Sequence, residues 1–569
     1  MRIEKEELIL FSDNKVKKPL YAHQKFVLNH DDWDQLKIHV PTSAGKTLCA
    51  VLFGLKEKYD NPSKMVKTLL IYPTNLLSQN QFEKSIIRGL TDWIGANKRE
   101  QKLLNPVKRQ LIPGWNGFFN ECAGGAPTIV FDLPAKLGSE KLWLTILNGE
   151  ILFRMFTEEN KIELGEKKGK YLFNILDVLS QRNHIILTSP DLIGYIAQQC
   201  YSMSAGWYNQ RWKDDLSVFL WGHRAVVDEY HFYDPYTYIN VEKTLEKLNI
   251  EKILLLSATK KAFYFKNASL LSIQDLETDF NNDQVDTHIA SYPIDIDLID
   301  DELKIRDCCP ELETIYFFNS VVVAHELAEQ LRKKGICLTE WTGIQKTQNS
   351  VNKLIIATSA AEVGLDLQLY EMHTEFWGLD TEIPSLVQRI GRIGRFKSDY
   401  PFKAFIHIGN SQQPYVLKKI FNEHETISKD KFTELLYEAY GETPFDPTNF
   451  VSHYLWDEEQ KQRLREEWGI IDSKISFHFR PPQSQAVFKW NNHIFVYNKF
   501  PIENQYHIEL IKKYTDIPFW KSFGLSEYEV KEKKSKDERS WKKPYVGKLY
   551  PLHDSKKWFV YTSEDKNII

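Results

Sequence analysis

Residues 36–55 read LKIHVPTSAGKTLCAVLFGL, and this stretch decides the fold. Leu36, Ile38 and Val40 alternate as a strand does, the run PTSAGKT follows, and Leu48, Val51, Leu52 and Leu55 recur at helical spacing. Strand, loop, helix is the setting of a phosphate loop. Backbone N–H groups from Thr42, Ser43, Ala44 and Gly45 and the start of the helix face the anion, Lys46 neutralises terminal phosphate oxygens, and Thr47 offers a hydroxyl to Mg2+. The strict pattern wants glycine where this chain has Val40.

Further along, Ala225, Val226 and Val227 form an apolar strand that delivers Asp228-Glu229-Tyr230-His231 at its carboxyl end. One acid in such a place holds a metal while its neighbour orients or deprotonates an attacking water, the division of labour that phosphoryl transfer to water requires. The plain alternative is a solvated pair of acids at a strand end. A third strand, 253–256, ends in Ser257-Ala258-Thr259, a common tripeptide that gains value from its position after Asp228.

A second α/β unit then begins. TIYFFNS (314–320) reads as a strand, a helix follows from about Val321, and KLIIATS (353–359) is a further strand leading into AAEVGLDL. After the strand HTEFWG comes PSLVQRIGRIGRF, in which Arg389, Arg392 and Arg395 recur at a spacing that puts them on one helix face. Planar, permanently charged guanidinium groups suit the spread charge of a transferring phosphoryl group, so Arg392 and Arg395 read as arginine fingers, with Gln388 beside them. The alternative is a surface helix charged for solubility.

At 569 residues the chain is too long for one ordinary core and suggests about three or four domains. Its 42% apolar and 26% charged residues are ordinary globular composition, so most of it should fold. A formal net charge of -4 means that any nucleic-acid partner meets a local patch rather than a basic domain. The basic stretch KEKKSKDERSWKK (531–543) is interspersed with acids and reads as a solvated loop or exposed helix. No apolar run is long enough to cross a bilayer and the start MRIEKEELILFSDNK lacks a signal-peptide core, so a soluble intracellular protein without a membrane partner is expected. The six cysteines form no CxxC pair, which argues against a zinc site, an iron-sulfur cluster or a disulfide framework.

Gln24 in YAHQ, PTSAGKT, YPTNLLSQ, LTSPD, DEYH, SAT, FFNS, ATSAAEVGLD and QRIGRIGR stand in the order seen in superfamily 2 helicases, and the chain resembles that superfamily over about residues 15 to 410. The resemblance implies two tandem RecA-like lobes with nucleotide bound between them, and an ATPase or translocase that uses ATP and Mg2+. It also implies that Gln24 reads adenine, that Gly364 and Asp366 link nucleotide to the lobe interface, and that Thr74, Thr188, Thr342 and Thr358 lie along the nucleic-acid track. Strand-end threonines that satisfy turns are the alternative for that last group.

Within the superfamily, DEYH, ATSAAEVGLDL and QRIGRIGRF look most like the helicase of type I CRISPR interference, which implies a prokaryotic, cytoplasmic enzyme moving 3′ to 5′ on single-stranded DNA beside a guide-RNA surveillance complex. Many members carry an HD nuclease ahead of the helicase. Here little chain precedes Gln24, and His30-Asp31 and His553-Asp554 are isolated dipeptides. The chain resembles the nuclease-free form of type I-D systems, with cutting supplied by a separate nuclease subunit. A DExH RNA helicase and a nucleotide-regulated clamp with little turnover remain as rival readings.

The expected architecture is a first lobe at 1–285 with an insertion at about 84–183, a second at 286–410, and a small mixed α+β C-terminal domain at 411–569. The insertion holds Trp93, Trp115, Trp143 and the turn ECAGGAP, and its aromatics read either as core or as base-stacking groups. Beyond residue 410, helical patterns at about 432–440 and 458–468 precede a β-hairpin at 487–497 turning on Asn491-Asn492.

Overall fold

The computed structural model describes residues 1–440 apart from 41–43, 113–123, 156–167, 198–215, 234, 259–267, 273–275, 278, 281–282, 306, 320, 343–351, 363–367, 379–381 and 409–414. Beyond 440 it describes five strands between Gln485 and Thr562. Thr42, Ser43, Trp115, Cys122, Thr259, Gly364, Asp366, the expected helix at 458–468, the Asn491-Asn492 turn and His553-Asp554 lie outside the described residues.

Glu4–Tyr292 makes up one compact unit. Its ten-stranded sheet runs in the order Ser269–Ser272, Gln35–His39, Lys252–Ser257, Arg224–Asp228, Lys67–Ile71, Asn183–Thr188, Lys141–Ile146, Ala126–Asp132, Asn97–Asn105 and Gln110–Ile112. From Ser269–Ser272 to Lys141–Ile146 neighbouring strands are parallel. Their central members, RAVVD, KILLLS, KTLLI and NHIILT, are almost wholly buried, as near-continuous apolar runs covered on both faces should be. Against them packs the helix Lys46–Asp60, which buries Leu48, Val51, Leu52, Phe53 and Leu55.

The insertion widens this same sheet. Lys141–Ile146 joins parallel to Asn183–Thr188, and Ala126–Asp132 and Asn97–Asn105 follow antiparallel. Trp143 sits in that extension, buried, with the Arg182 guanidinium 4.5 Å from its ring centre, so it is core rather than a free stacking surface. Trp93 is half-buried under the Lys18 ammonium at 4.5 Å.

The second unit takes in Met1–Ile3, Pro293–Gly441 and Arg480–Ile569. Its eight-stranded sheet is ordered Thr339–Trp341, Leu354–Ala357, Thr314–Phe317, Glu371–Glu375, Phe402–His407, Ile294–Ile299, Arg2–Ile3 and Thr426–Ile427. All neighbours are parallel except Arg2–Ile3 against Ile294–Ile299. The helix Val321–Lys333 and the strands Thr314–Phe317 and Leu354–Ala357 match the sequence reading, as does the helix Lys429–Tyr440.

One correction concerns the arginine run. The helix Ile383–Ile390 ends with Gly391 as its C-cap, so Arg389 lies in its last turn while Arg392 and Arg395 follow in the turn beyond it. The three do not share one helix face. Ile393 forms a lone bridge to Leu369, and Gly394 at φ 71° supplies the left-handed residue that turns the chain.

Past residue 480 an antiparallel sheet is ordered His493–Asn498, Gln485–Trp490, Ser526–Lys533, Trp541–Pro551, Trp558–Thr562. Trp490 pairs with His493, which closes the hairpin read from the alternating aromatics.

Candidate functional site

The helix Lys46–Asp60 follows the strand Gln35–His39 in the chain and starts at Gly45, which holds φ 70° as its N-cap. A side chain there would be strained by the backbone and would bring its Cβ to 2.5 Å from Gln24 Nε2. Gly45 is therefore needed twice over.

Gln24 is 2% exposed, and both ends of its amide are engaged. Its Nε2 donates to the Gly45 carbonyl at 3.0 Å and its Oε1 accepts the Tyr21 N–H at 3.0 Å. Beneath it, His23 is wholly buried, and desolvation, with Lys46 nearby, pushes its pKa down to about 3 despite the Ala44 backbone contact.

Two strands along, Arg224–Asp228 ends at the acid pair. Lys46 Nζ lies 2.6 Å from Glu229 Oε1, with side-chain exposures of 9% and 17%. Asp228 is buried; its Oδ1 accepts the Glu229 N–H at 3.0 Å. Burial, with Glu229 as a second acid beside it, raises the Asp228 pKa to about 7, against the opposing pull of Lys46. Glu229 itself adopts φ 50°, uncommon for a residue with a side chain, where the strand breaks into the short turn Tyr230–Phe232.

The strand Lys252–Ser257 brings Ser257 beside this pair. Its hydroxyl shares a 2.7 Å hydrogen bond with His231 Nδ1, which also lies 3.4 Å from Glu229 Oε2. The DEYH and SAT strings are thus physically joined through His231, whose ring is buried. On the helix side, the Thr47 hydroxyl donates to Gln81 Oε1 at 2.7 Å.

Asp228 and Thr47 are hard oxygen donors, and a buried acid whose ionised form is disfavoured by burial and by Glu229 calls for a cation, so these residues fit Mg2+. Lys46 at the helix start beside a glycine loop fits a phosphate.

In the second unit Gln388 is buried in the helix Ile383–Ile390. Arg389, also buried, donates to Glu362 Oε1 at 2.7 Å, Asn319 Oδ1 at 3.0 Å and Thr374 Oγ1 at 2.9 Å, with its guanidinium 5.2 Å from the Phe317 ring centre. Glu362, from the AAEVGLDL string, also accepts from Ser385 Oγ at 2.9 Å. Arg392 donates to the Glu362 carbonyl, and Arg395 Nε donates to the Gly391 carbonyl at 2.6 Å.

The threonines differ in what they present. Thr74 is exposed and caps the helix Asn75–Asn80 by accepting the Leu77 N–H at 3.2 Å, which leaves its proton to give. Thr188, Thr342 and Thr358 are buried to 2% or less. The Thr342 hydroxyl donates to Glu340 Oε1 at 2.7 Å, and the buried Glu340 also bonds buried His325 and half-buried Arg332. Among the described residues, sequence reasoning missed His23, Gln81, Glu340 and Glu362; of these, His23 in YAHQ and Glu362, two residues before Gly364, stand inside the motif strings.

Two tandem RecA-like α/β units, each on a mainly parallel sheet, make up the fold, and the first sets Lys46 beside the acid pair Asp228-Glu229. No protein-family model and no curated protein matches it. Among solved structures it is similar to the DUF1998 helicase MrfA bound to DNA, at 14% identity and TM-score 0.48, covering 97% of this chain and 76% of that one. It is also similar to T. fusca Cas3 with AMPPNP, at 12% identity and TM-score 0.45, covering 82% and 58%. A third similar structure is S. cerevisiae Dbp5 L327V bound to RNA and ADP BeF3, at 13% identity and TM-score 0.43, covering 74% and 94%. Among the described residues, no helix is long and apolar enough to cross a membrane.

Proposed function

We propose that this chain is an ATP-driven superfamily 2 helicase or translocase acting on single-stranded DNA. One observation carries the reading: Lys46 at the phosphate loop lies 2.6 Å from Glu229, directly after the buried Asp228. A terminal phosphate arriving at Lys46 competes with Glu229 for the ammonium. Glu229, so released, is the base that orients and deprotonates the attacking water. Asp228 and Thr47 would hold Mg2+, which supplies charge neutralisation for the phosphate oxygens. His231 passes the position of Glu229 to Ser257 through the 2.7 Å hydrogen bond. Gln388, Arg392 and Arg395 are assigned to hydrolysis on the string QRIGRIGR.

The finer reading, movement 3′ to 5′ in type I CRISPR interference beside a guide-RNA surveillance complex and a separate nuclease subunit, in a prokaryotic cytoplasm, rests on the strings DEYH, ATSAAEVGLDL and QRIGRIGRF.

The test is steady-state ATP hydrolysis with no nucleic acid, single-stranded DNA, duplex DNA and single-stranded RNA, with Lys46→Ala and Glu229→Gln as controls. Strongest stimulation by single-stranded DNA, lost in both variants, is the expected result. Stimulation by RNA alone overturns the DNA reading and keeps the engine; nucleotide binding without stimulated hydrolysis makes the chain a clamp.

A further inference from the structure

We propose that His325, Glu329 and Glu340 form a binding site for one divalent cation of the zinc class, which staples the edge strand Thr339–Trp341 to the helix Val321–Lys333 within the second unit.

Local geometry builds the donor set. The helix Val321–Lys333 sets Ala324, Ala328 and Leu331 into the core of this unit. His325 and Glu329 stand four residues apart and Arg332 three further on, so the three share a neighbouring face. Glu340 comes from Thr339–Trp341, the outermost strand of the eight-stranded sheet. One ring nitrogen of His325 and one carboxylate oxygen of each glutamate lie within 4.8 Å of one another. Zinc bonds to imidazole and carboxylate are about 2.0–2.2 Å long, which puts neighbouring donors about 3.3 Å apart. A rotation of the half-buried Glu329 side chain would close the set to that spacing.

Burial separates this cluster from ordinary surface acids. His325 is 3% exposed and Glu340 is wholly buried. His325 Nδ1 lies 2.8 Å from Glu340 Oε1, while Nε2 is buried with no partner among the described residues. With the ring proton on Nδ1, Nε2 is a buried lone pair without a donor; with it on Nε2, the Nδ1 lone pair faces a carboxylate. Either neutral tautomer leaves a lone pair that a cation would satisfy. Burial alone would raise the Glu340 pKa, but hydrogen bonds from His325, Thr342 and Arg332 hold it below its usual value, so the carboxylate is ionised and able to ligate.

Arg332 marks where the charge belongs. Its Nη1 stands 2.6 Å from Glu329 Oε1 and 2.8 Å from Glu340 Oε2, in the gap between two carboxylates that otherwise repel. The seat is imperfect, because Nη2 is buried with no partner among the described residues. The Arg332 side chain is 27% exposed, so it can withdraw toward solvent and open an entry path. One imidazole and two carboxylates suit zinc, with water as a fourth ligand, whereas Mg2+ prefers an all-oxygen shell. The Thr342 hydroxyl, 2.7 Å from Glu340 Oε1, is the outer hydrogen bond that orients this ligand.

The experiment titrates the metal-stripped full chain with Zn2+ against a fluorescent zinc chelator, without nucleotide and in excess Mg2+, so that the phosphate-loop site is not scored. One Zn2+ per chain and a raised melting temperature are expected. His325→Ala and Glu329→Gln should each weaken Zn2+ binding by more than about 100-fold, beyond the loss that outer hydrogen-bond partners produce. Arg332→Gln removes the resident charge. It should melt lower than wild type without metal, bind Zn2+ several-fold tighter, and recover its melting temperature when Zn2+ is added. If His325→Ala fails to fold, Glu329→Gln, close to isosteric and half-buried, decides alone. A purely structural His325–Glu340–Arg332 network binds no Zn2+ and leaves Arg332→Gln unrescued, and either result overturns the proposal. So does Zn2+ binding that survives Glu329→Gln and is lost on alkylation of the exposed Cys309 and Cys337.

Discussion

Lys46 and Glu229 are separated by most of the first lobe in sequence, yet their charged atoms stand 2.6 Å apart. The pair ties the phosphate loop to the acid strand, and its chemistry sets the first expectation. Lys46→Ala should abolish tight nucleotide binding, whereas Glu229→Gln should retain binding and lose hydrolysis by about 100-fold to 10,000-fold, the usual weight of a positioned base. Separate measurement of nucleotide affinity and single-turnover hydrolysis checks this; equal loss of affinity in both variants contradicts a phosphate-binding Lys46 and a catalytic-base Glu229.

Asp228 carries a stability cost. Its folded pKa of about 7 is above that of an unfolded aspartate, so between roughly pH 4 and 7 the folded chain holds more protons there and stability falls as pH rises. Asp228→Asn removes that loss. The variant should melt at a higher temperature than wild type at pH 8, show a smaller gain at pH 5, and be inactive. A lower melting temperature at pH 8 would falsify the claim that the ionised acid is destabilising there.

The pair His184 and His223 makes the opposite prediction. Their Nε2 atoms lie 2.8 Å apart, both rings are buried, and desolvation pushes His184 down to about 4 and His223 well below its usual value. Because the unfolded histidines take up protons near pH 6.5, stability is whole above that pH and declines as pH falls toward 4. The loss is on the order of 2 kcal/mol by pH 5 from His184 alone. Urea unfolding at pH 7 and pH 5, in wild type and in the double variant His184→Leu with His223→Leu, checks this: the double variant should show the smaller pH difference.

Arg389 should behave unlike its neighbours in the run. It and Glu362 form a buried pair with exposures of 5% and 1%, so Arg389→Ala leaves an unpaired buried carboxylate at a cost of about 3–5 kcal/mol. Arg392→Ala and Arg395→Ala should lower hydrolysis with much less effect on unfolding. Denaturant midpoints beside hydrolysis rates separate the two, and three equal losses of stability would refute the distinction.

Cutting the His231–Ser257 bond should uncouple the acid box from the strand that follows. In Ser257→Ala, basal ATP hydrolysis should stay within a few-fold of wild type while the stimulation by single-stranded DNA falls. A titration of hydrolysis rate against DNA concentration reads both quantities, and full stimulation in the variant rules out this route of coupling.

What residues 36–55 and 225–231 determined by themselves is the local structure around the proposed engine. The alternation of Leu36, Ile38 and Val40, the glycine before Lys46 and the apolar run ahead of Asp228 are local patterns, and local patterns are what strand and helix periodicity encode. The two α/β units and the hairpin after residue 485 were legible for the same reason. Tertiary structure decided which partners these residues have. That Lys46 meets Glu229, that Gln24 holds Gly45, that Arg389 neutralises Glu362, that the insertion extends the first sheet, and that Arg2–Ile3 pairs within the second are contacts between residues well separated in the chain. Periodicity carries no record of such distances; packing and the cost of burying an unpaired charge select them.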